Sequence, residues 1–224
     1  MPDINDFPRY FREYIWRGLK HRLYGYPEDS YPKYTWISSL EKRFRWMCDN
    51  NNQNEPSSIY LLMEMIQWGG SQNGALQKFM DRLGTVNLDE IITTTINNIH
   101  NNNDNEAIRS ALSIPGMGLT YASKLLRFMK PERYGALDSN IREALIERAP
   151  EYQMPTIRDG NTNSMVAGYL RFIEIIRTIA ADIEKSPQRD RLMRPKCSLS
   201  NLEGNAWRAA DIEMALFQWA NEEE

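Results

Sequence analysis

The 224-residue chain has only two cysteines, Cys48 and Cys197, and two histidines, His21 and His100. Two thiols cannot build a four-thiolate zinc or iron–sulfur site, and neither histidine has a second ligand at metal spacing. The sequence therefore implies no metal and no other cofactor, and it offers few candidates for a histidine general base. No apolar run approaches the roughly 18 residues that span a bilayer. The opening Met1-Pro2-Asp3-Ile4-Asn5 lacks the charged and apolar regions of a secretory signal. These absences lead us to expect a soluble, cytoplasmic protein, nucleoid-associated if bacterial, with reduced thiols and no membrane partner; we expect it to be a monomer. Period-two alternation is missing, which argues against a sheet. The glycine-rich stretch 69–74 lacks the lysine and spacing of a P-loop.

An excess of positive charge is also missing. Lys and Arg number 27 against 30 Asp and Glu, for a net charge of −3. Distribution matters more than the sum for a polyanionic partner. From Arg9 to Arg45, nine basic residues face four acidic ones. Arg189, Arg191, Arg194 and Lys196 form a second cluster, and Glu222-Glu223-Glu224 inflates the negative total. Taken alone, each basic run reads first as a solvated face.

What is abundant is helical periodicity. Phe7, Tyr10, Phe11, Tyr14, Ile15 and Leu19 place an apolar stripe on a helix over 6–23, and Trp36 to Met47 repeat it over 34–48. Ile59 to Trp68 reads as a buried helix ended by Gly69-Gly70. A further helix runs to about Leu83. Asn87 or Asp89 caps the next, and the polar hinge 101–105 caps a short helix over 105–112. Later helices are expected from Asp138 to about Arg148, from Asn163 to Glu184, and over 205–220. The fold class is all-α. A helical extension, 1–55, precedes the main domain, 56–224, and the two share a compact unit or stand apart.

Between two of these helices lies Ser113-Ile114-Pro115-Gly116-Met117-Gly118-Leu119-Thr120. Pro115 stops the preceding helix. Gly116 and Gly118 permit backbone geometry and close approaches that side chains block. A new helix starts near Thr120, and its first N–H groups lack internal partners, so its N-terminus can take an anion such as a DNA phosphate. Such a contact positions a duplex without reading its sequence. Ile114, Ala122, Leu125 and Leu126 pack the hairpin, while Lys124, Arg127 and Lys130 put positive charge on its second helix. Twenty residues after Gly118 comes Leu137-Asp138-Ser139-Asn140-Ile141, with Asp138 at a helix start.

This combination resembles the helix-hairpin-helix DNA glycosylase superfamily, above all its small bacterial 8-oxoguanine-glycosylase-like members. The specific likeness covers about 30 residues, and the helical organisation extends it weakly over about 55–220. The resemblance implies two helical lobes around a cleft, double-stranded DNA as partner, and excision of a damaged or modified base, with an oxidised purine as the implied substrate. It puts the hairpin contacts at Ile114, Gly116, Met117, Gly118 and Thr120. Asp138 falls at the family's catalytic aspartate, where a carboxylate suits a cationic sugar; it is also a good helix N-cap. Bifunctional relatives carry a Schiff-base lysine two residues after the second hairpin glycine. Here that position is Thr120, and Lys124 lies one turn further on the same face, which leaves lyase chemistry open. Gln72, Asn73 and then Gln67 are candidates for a wedge that fills the gap left by an extruded base. Trp68 and Trp207 are candidates for a stacking wall, and Asp211 for a base-edge contact. The competing reading is a helix-hairpin-helix protein that binds DNA without chemistry.

Overall fold

The computed structural model describes residues 2–14, 35–52, 55–70, 74–196 and 204–222. Among them the regular structure is entirely helical, with no strand. In chain order the α-helices are α1 (Phe7–Glu13), α2 (Thr35–Asp49), α3 (Glu55–Trp68), α4 (Ala75–Arg82), α5 (Leu88–His100), α6 (Asp104–Leu112), α7 (Leu119–Met129), α8 (Ser139–Glu147), α9 (Thr162–Lys185), the single turn α10 (Arg189–Leu192) and α11 (Ala209–Ala220). The first helix expected from periodicity is seen only to Glu13; its continuation past residue 14 lies outside the described residues. The last expected helix starts four residues later than its pattern suggested, at Ala209.

Local chemistry accounts for the boundaries. Asn87 starts α5 by accepting from the Glu90 N–H at 3.3 Å, and Asn103 starts α6 by accepting from the Glu106 N–H at 3.3 Å. Asn102, at φ 58°, turns the chain between them. Asp104, expected only as part of a polar hinge, instead ties three elements together. It accepts from Arg133 at 2.8 Å, from the Tyr134 hydroxyl at 2.7 Å and from Arg177 of α9 at 2.9 Å.

The central element is α7. Leu119 and every residue from Tyr121 to Met129 are buried, because α7 packs on α2, α3, α6 and α9. Phe128 shows how tightly it is gripped: its ring stacks on Phe44 of α2 at 5.7 Å and meets Trp68 of α3 edge-on at 5.0 Å. The N-terminal helices belong to the same hydrophobic core, α1 against α11 and α2 against α7. Arg9 and the Tyr10 hydroxyl both reach Glu222 at 2.8 Å, which fixes α1 to the end of α11.

A helix with no solvent-facing side must bury its cations, and α7 buries two. Arg127, expected to add positive charge to the second helix of the hairpin, is wholly inaccessible. It pairs with Glu41 of α2 at 2.7 Å and with Glu213 of α11 at 3.5 Å. Glu41 in turn meets Arg208 at 2.9 Å, Arg208 meets Asp211 at 2.8 Å, and Asp211 meets Arg194 at 3.2 Å. Arg194 is buried as well, so it drops out of the basic cluster in which the sequence placed it. Burial pushes the Glu41 carboxyl up, but Arg127 and Arg208 outweigh it and hold the group below its usual value.

Candidate active site

The hairpin forms between α6 and α7. Ser113 and Ile114 close the end of α6, and the Met117 N–H returns to the Ile114 carbonyl at 3.1 Å. Gly116 has φ 77°, and a Cβ there would meet the Phe79 nitrogen at 2.7 Å and the Lys78 carbonyl carbon at 2.9 Å. Position 116 is therefore glycine for two reasons, a left-handed backbone and the close approach of α4. Ile114 and Met117 bury their side chains, so their part in the hairpin falls to the backbone. Gly118 precedes α7 with no side-chain cap, and a Cβ there would meet nothing within 4 Å. The uncapped first turn of α7 thus opens onto free space.

That space is a cleft of about 980 Å³. Gly116, Met117, Gly118 and Thr120 form one wall; Lys124, Asp138, Trp68 and Glu213 also line it. The fold brings Asp138 here through Ser123 of α7, whose Oγ accepts from the Leu137 N–H at 2.9 Å. Asp138 is half-buried and does cap its helix, accepting from the Ile141 N–H at 2.9 Å. Burial raises its pKa; hydrogen bonds from the Ile141 and Asn140 N–H groups and the charge of Lys124 pull the other way. The cap and the cleft-lining position coexist in one residue.

Lys124 is only 8% exposed. Its Nζ sits 5.4 Å from the Trp68 ring centre and 5.3 Å from that of Tyr121. A Cβ added to Gly69 would come within 3.0 Å of the same Nζ, so the end of α3 closes over the lysine. Trp68 thus lines the cleft while also packing on Phe128. An aromatic edge on another side of the cleft comes from Tyr14 and Phe217, whose rings meet at 5.7 Å.

The remaining candidates lie elsewhere. Trp207 packs edge-on against Phe7 at 6.1 Å and Phe11 at 5.7 Å, and its Nε1–H donates to the Leu192 carbonyl at 2.5 Å; it does not line the cleft. Asp211 is inaccessible, held by Arg194 and Arg208, and accepts from the Arg208 N–H at 3.1 Å as part of the α11 cap. A carboxylate enclosed in this way has no edge to offer a base. Gln67 is half-buried near the end of α3 and also does not line the cleft. Gln72 and Asn73 lie outside the described residues.

Glu213 was not among the sequence candidates. Its Oε2 accepts no hydrogen bond, and its nearest cation is the Arg127 guanidinium at 3.5 Å. Burial pushes its pKa up to about 7, with the Asp138 carboxylate adding to that rise; Arg127, Lys124 and the Ala136 N–H oppose it. One signal could have found it. α11 is apolar on nearly every side, with Ala210, Ile212, Met214, Ala215 and Leu216 all buried, so a carboxylate among them had to be buried too.

Among the described residues no three His, Cys, Asp or Glu side chains gather to hold a metal, and no helix is long and apolar enough to cross a membrane. Cys48 is buried 3.7 Å from His100 Nε2, and Cys197 lies outside the described residues. No protein-family model, curated protein or solved structure matches this chain.

Proposed function

We propose that this protein is a DNA glycosylase of the helix-hairpin-helix kind, with helical lobes flanking the cleft, acting on a damaged or modified base in double-stranded DNA. The observation that carries this reading is that an uncapped helix N-terminus, Lys124 and Asp138 line one cleft. The first N–H groups of α7 take a phosphate of the duplex, and Gly118 lets the nucleic-acid backbone come close. Lys78, exposed at the same rim, adds positive charge. The target base leaves the stack and enters the cleft, whose aromatic edges at Trp68, Tyr14 and Phe217 suit a flat ring.

The carboxylate of Asp138 then stabilises the positive charge that develops on the sugar as the base departs. Two rings and the Asp138 carboxylate stand near Lys124, a setting that suits a cation, and Thr120 occupies the position where bifunctional relatives carry their lysine. We therefore assign the hydrolytic route, in which water completes the reaction and Lys124 serves as a fixed charge. An oxidised purine is the first substrate to try.

The test is base release from a panel of duplexes carrying oxidised, deaminated and alkylated bases, read as alkali-labile abasic sites. Wild-type protein should release at least one base, and Asp138→Asn should not. Equal turnover by the two would remove Asp138 from the mechanism. Salt-sensitive DNA binding with no release from any duplex would favour a non-catalytic binding protein. Borohydride trapping separates the routes: a covalent complex lost in Lys124→Ala would replace hydrolysis with lyase chemistry.

A further inference from the structure

We propose that Glu213 is the general acid of this cleft, the group that hands a proton to the departing base. The inference rests on the glycosylase reading above and adds a catalytic residue from a distant part of the chain.

Four observations point to it. Glu213 is 4% exposed and yet lines the cleft that holds Asp138. Its Oε2 accepts no hydrogen bond, which is uncommon for a buried carboxylate, and only the Arg127 guanidinium, at 3.5 Å, faces it as an ion-pair partner. The chain makes room for it: a Cβ on Gly135 would meet the Glu213 Cβ at 2.8 Å and Ile176 Cδ1 at 2.7 Å. Only glycine lets α11 come this close to the segment that ends in Asp138. Finally, the two carboxylates have contrasting surroundings. Asp138 accepts backbone N–H groups from Ile141 and Asn140, which stabilise its ionised form. Glu213 has one such donor, the Ala136 N–H.

Two nearby carboxylates in a poorly solvated space compete for ionisation, and the better-bonded one keeps the charge. The shared proton therefore resides on Glu213. The charged and titratable groups around Glu213 are Lys124 and Arg127 of α7, Asp138 ahead of α8 and Tyr169 of α9, with Glu41 of α2 acting through Arg127. Two cations and two carboxylates near Glu213 leave no large net charge to force it open or shut. Its value of about 7 is what a proton donor at neutral pH needs.

The chemical step balances without an outside reagent. The bond between C1′ of the deoxyribose and the base nitrogen breaks, and its electron pair leaves with the base. The Glu213 carboxyl proton moves to a ring acceptor of that base, which departs neutral. Water adds to C1′ and gives a proton to Asp138, which passes it to solvent, while the Glu213 carboxylate regains a proton from solvent.

The experiment is single-turnover base release by wild type and Glu213→Gln across pH 5.5–9, with affinity for an abasic-site duplex measured alongside. Wild type should lose rate above about pH 7. Glu213→Gln, similar in shape but unable to give up a proton, should be about 100-fold slower at pH 6.5, lose that alkaline limb, and bind the duplex within about threefold of wild type. A variant with wild-type rate and profile would overturn the proposal and leave the glycosylase reading intact. If wild type releases no base, the glycosylase reading fails and the proposal falls with it. Should the variant not fold, carbon-13 titration of labelled wild-type glutamates decides. A midpoint near 7 that falls in Asp138→Asn supports the proposal, and a midpoint near 4.5 for every glutamate overturns it.

Discussion

Two groups of buried charges meet at Glu213 and behave differently. On one side is the chain Arg127–Glu41–Arg208–Asp211–Arg194, in which each member pairs with the next at 3.2 Å or less. On the other side Lys124, Asp138 and Glu213 line an open cleft. The first group is closed and joins α2, α7 and α11 with the loop after α10. The second is open, and burial raises the pKa of both its carboxyls, Asp138 and Glu213, against the opposing charge of Lys124. Buried charge by itself does not mark a functional site; buried charge that lines a cleft is the better candidate.

The largest expected effect comes from breaking the closed chain. Arg208→Ala leaves Glu41 with Arg127 alone and Asp211 with Arg194 alone, and should cost about 3–5 kcal/mol in denaturant unfolding. A loss under about 1 kcal/mol would mean that the chain is less structural than its geometry implies.

Gly116→Ala should come next. It forces a side chain into a left-handed backbone and against the α4 backbone, so about 2 kcal/mol of stability and most DNA affinity should go together. Unchanged duplex binding would separate the hairpin from the DNA-binding surface.

A pH-dependent difference on the order of 1–3 kcal/mol should distinguish Glu213 from the closed chain. Its folded value, about 7, lies above its ordinary 4.5. Its contribution to stability is complete below about 4.5 and is lost as pH rises through about 7. Glu213→Gln does not titrate, so its melting temperature relative to wild type should climb across that window. A difference that is flat with pH would contradict the protonated carboxyl.

Gly118→Ala should have the smallest effect on stability, about 0.5 kcal/mol or less, because nothing occupies the space beside it. It should still weaken duplex binding several-fold, since that space is where the nucleic acid is expected. Unaltered binding would place the phosphate elsewhere.

Much of this was legible in the sequence, and the boundary between what was and was not is physical. Helix positions followed from apolar spacing and from caps such as Asn87, because both act over three or four residues. The Gly118-to-Asp138 interval, twenty residues long, was legible through the family resemblance, and the fold delivered Asp138 to the cleft that Gly118 faces. Side-chain fates that depend on distant partners were not legible. Trp207 and Asp211 looked available as residues 207–217 were read alone, but α1 covers the one and Arg194 secures the other. Arg127 read as surface charge because its acidic partners, Glu41 and Glu213, lie 86 residues on either side of it. Glu213 went unread for the same reason, although the apolar character of α11 on nearly every side carried the hint.

The most direct test pairs one residue from each group. Single-turnover base release is measured for Asp138→Asn and Arg208→Ala at a temperature where both are folded. Asp138→Asn keeps the helix cap and should lose about a thousandfold or more, while Arg208→Ala should stay within about threefold of wild type once folded. Equal losses in the two variants would contradict the division between a closed scaffold and an open active centre.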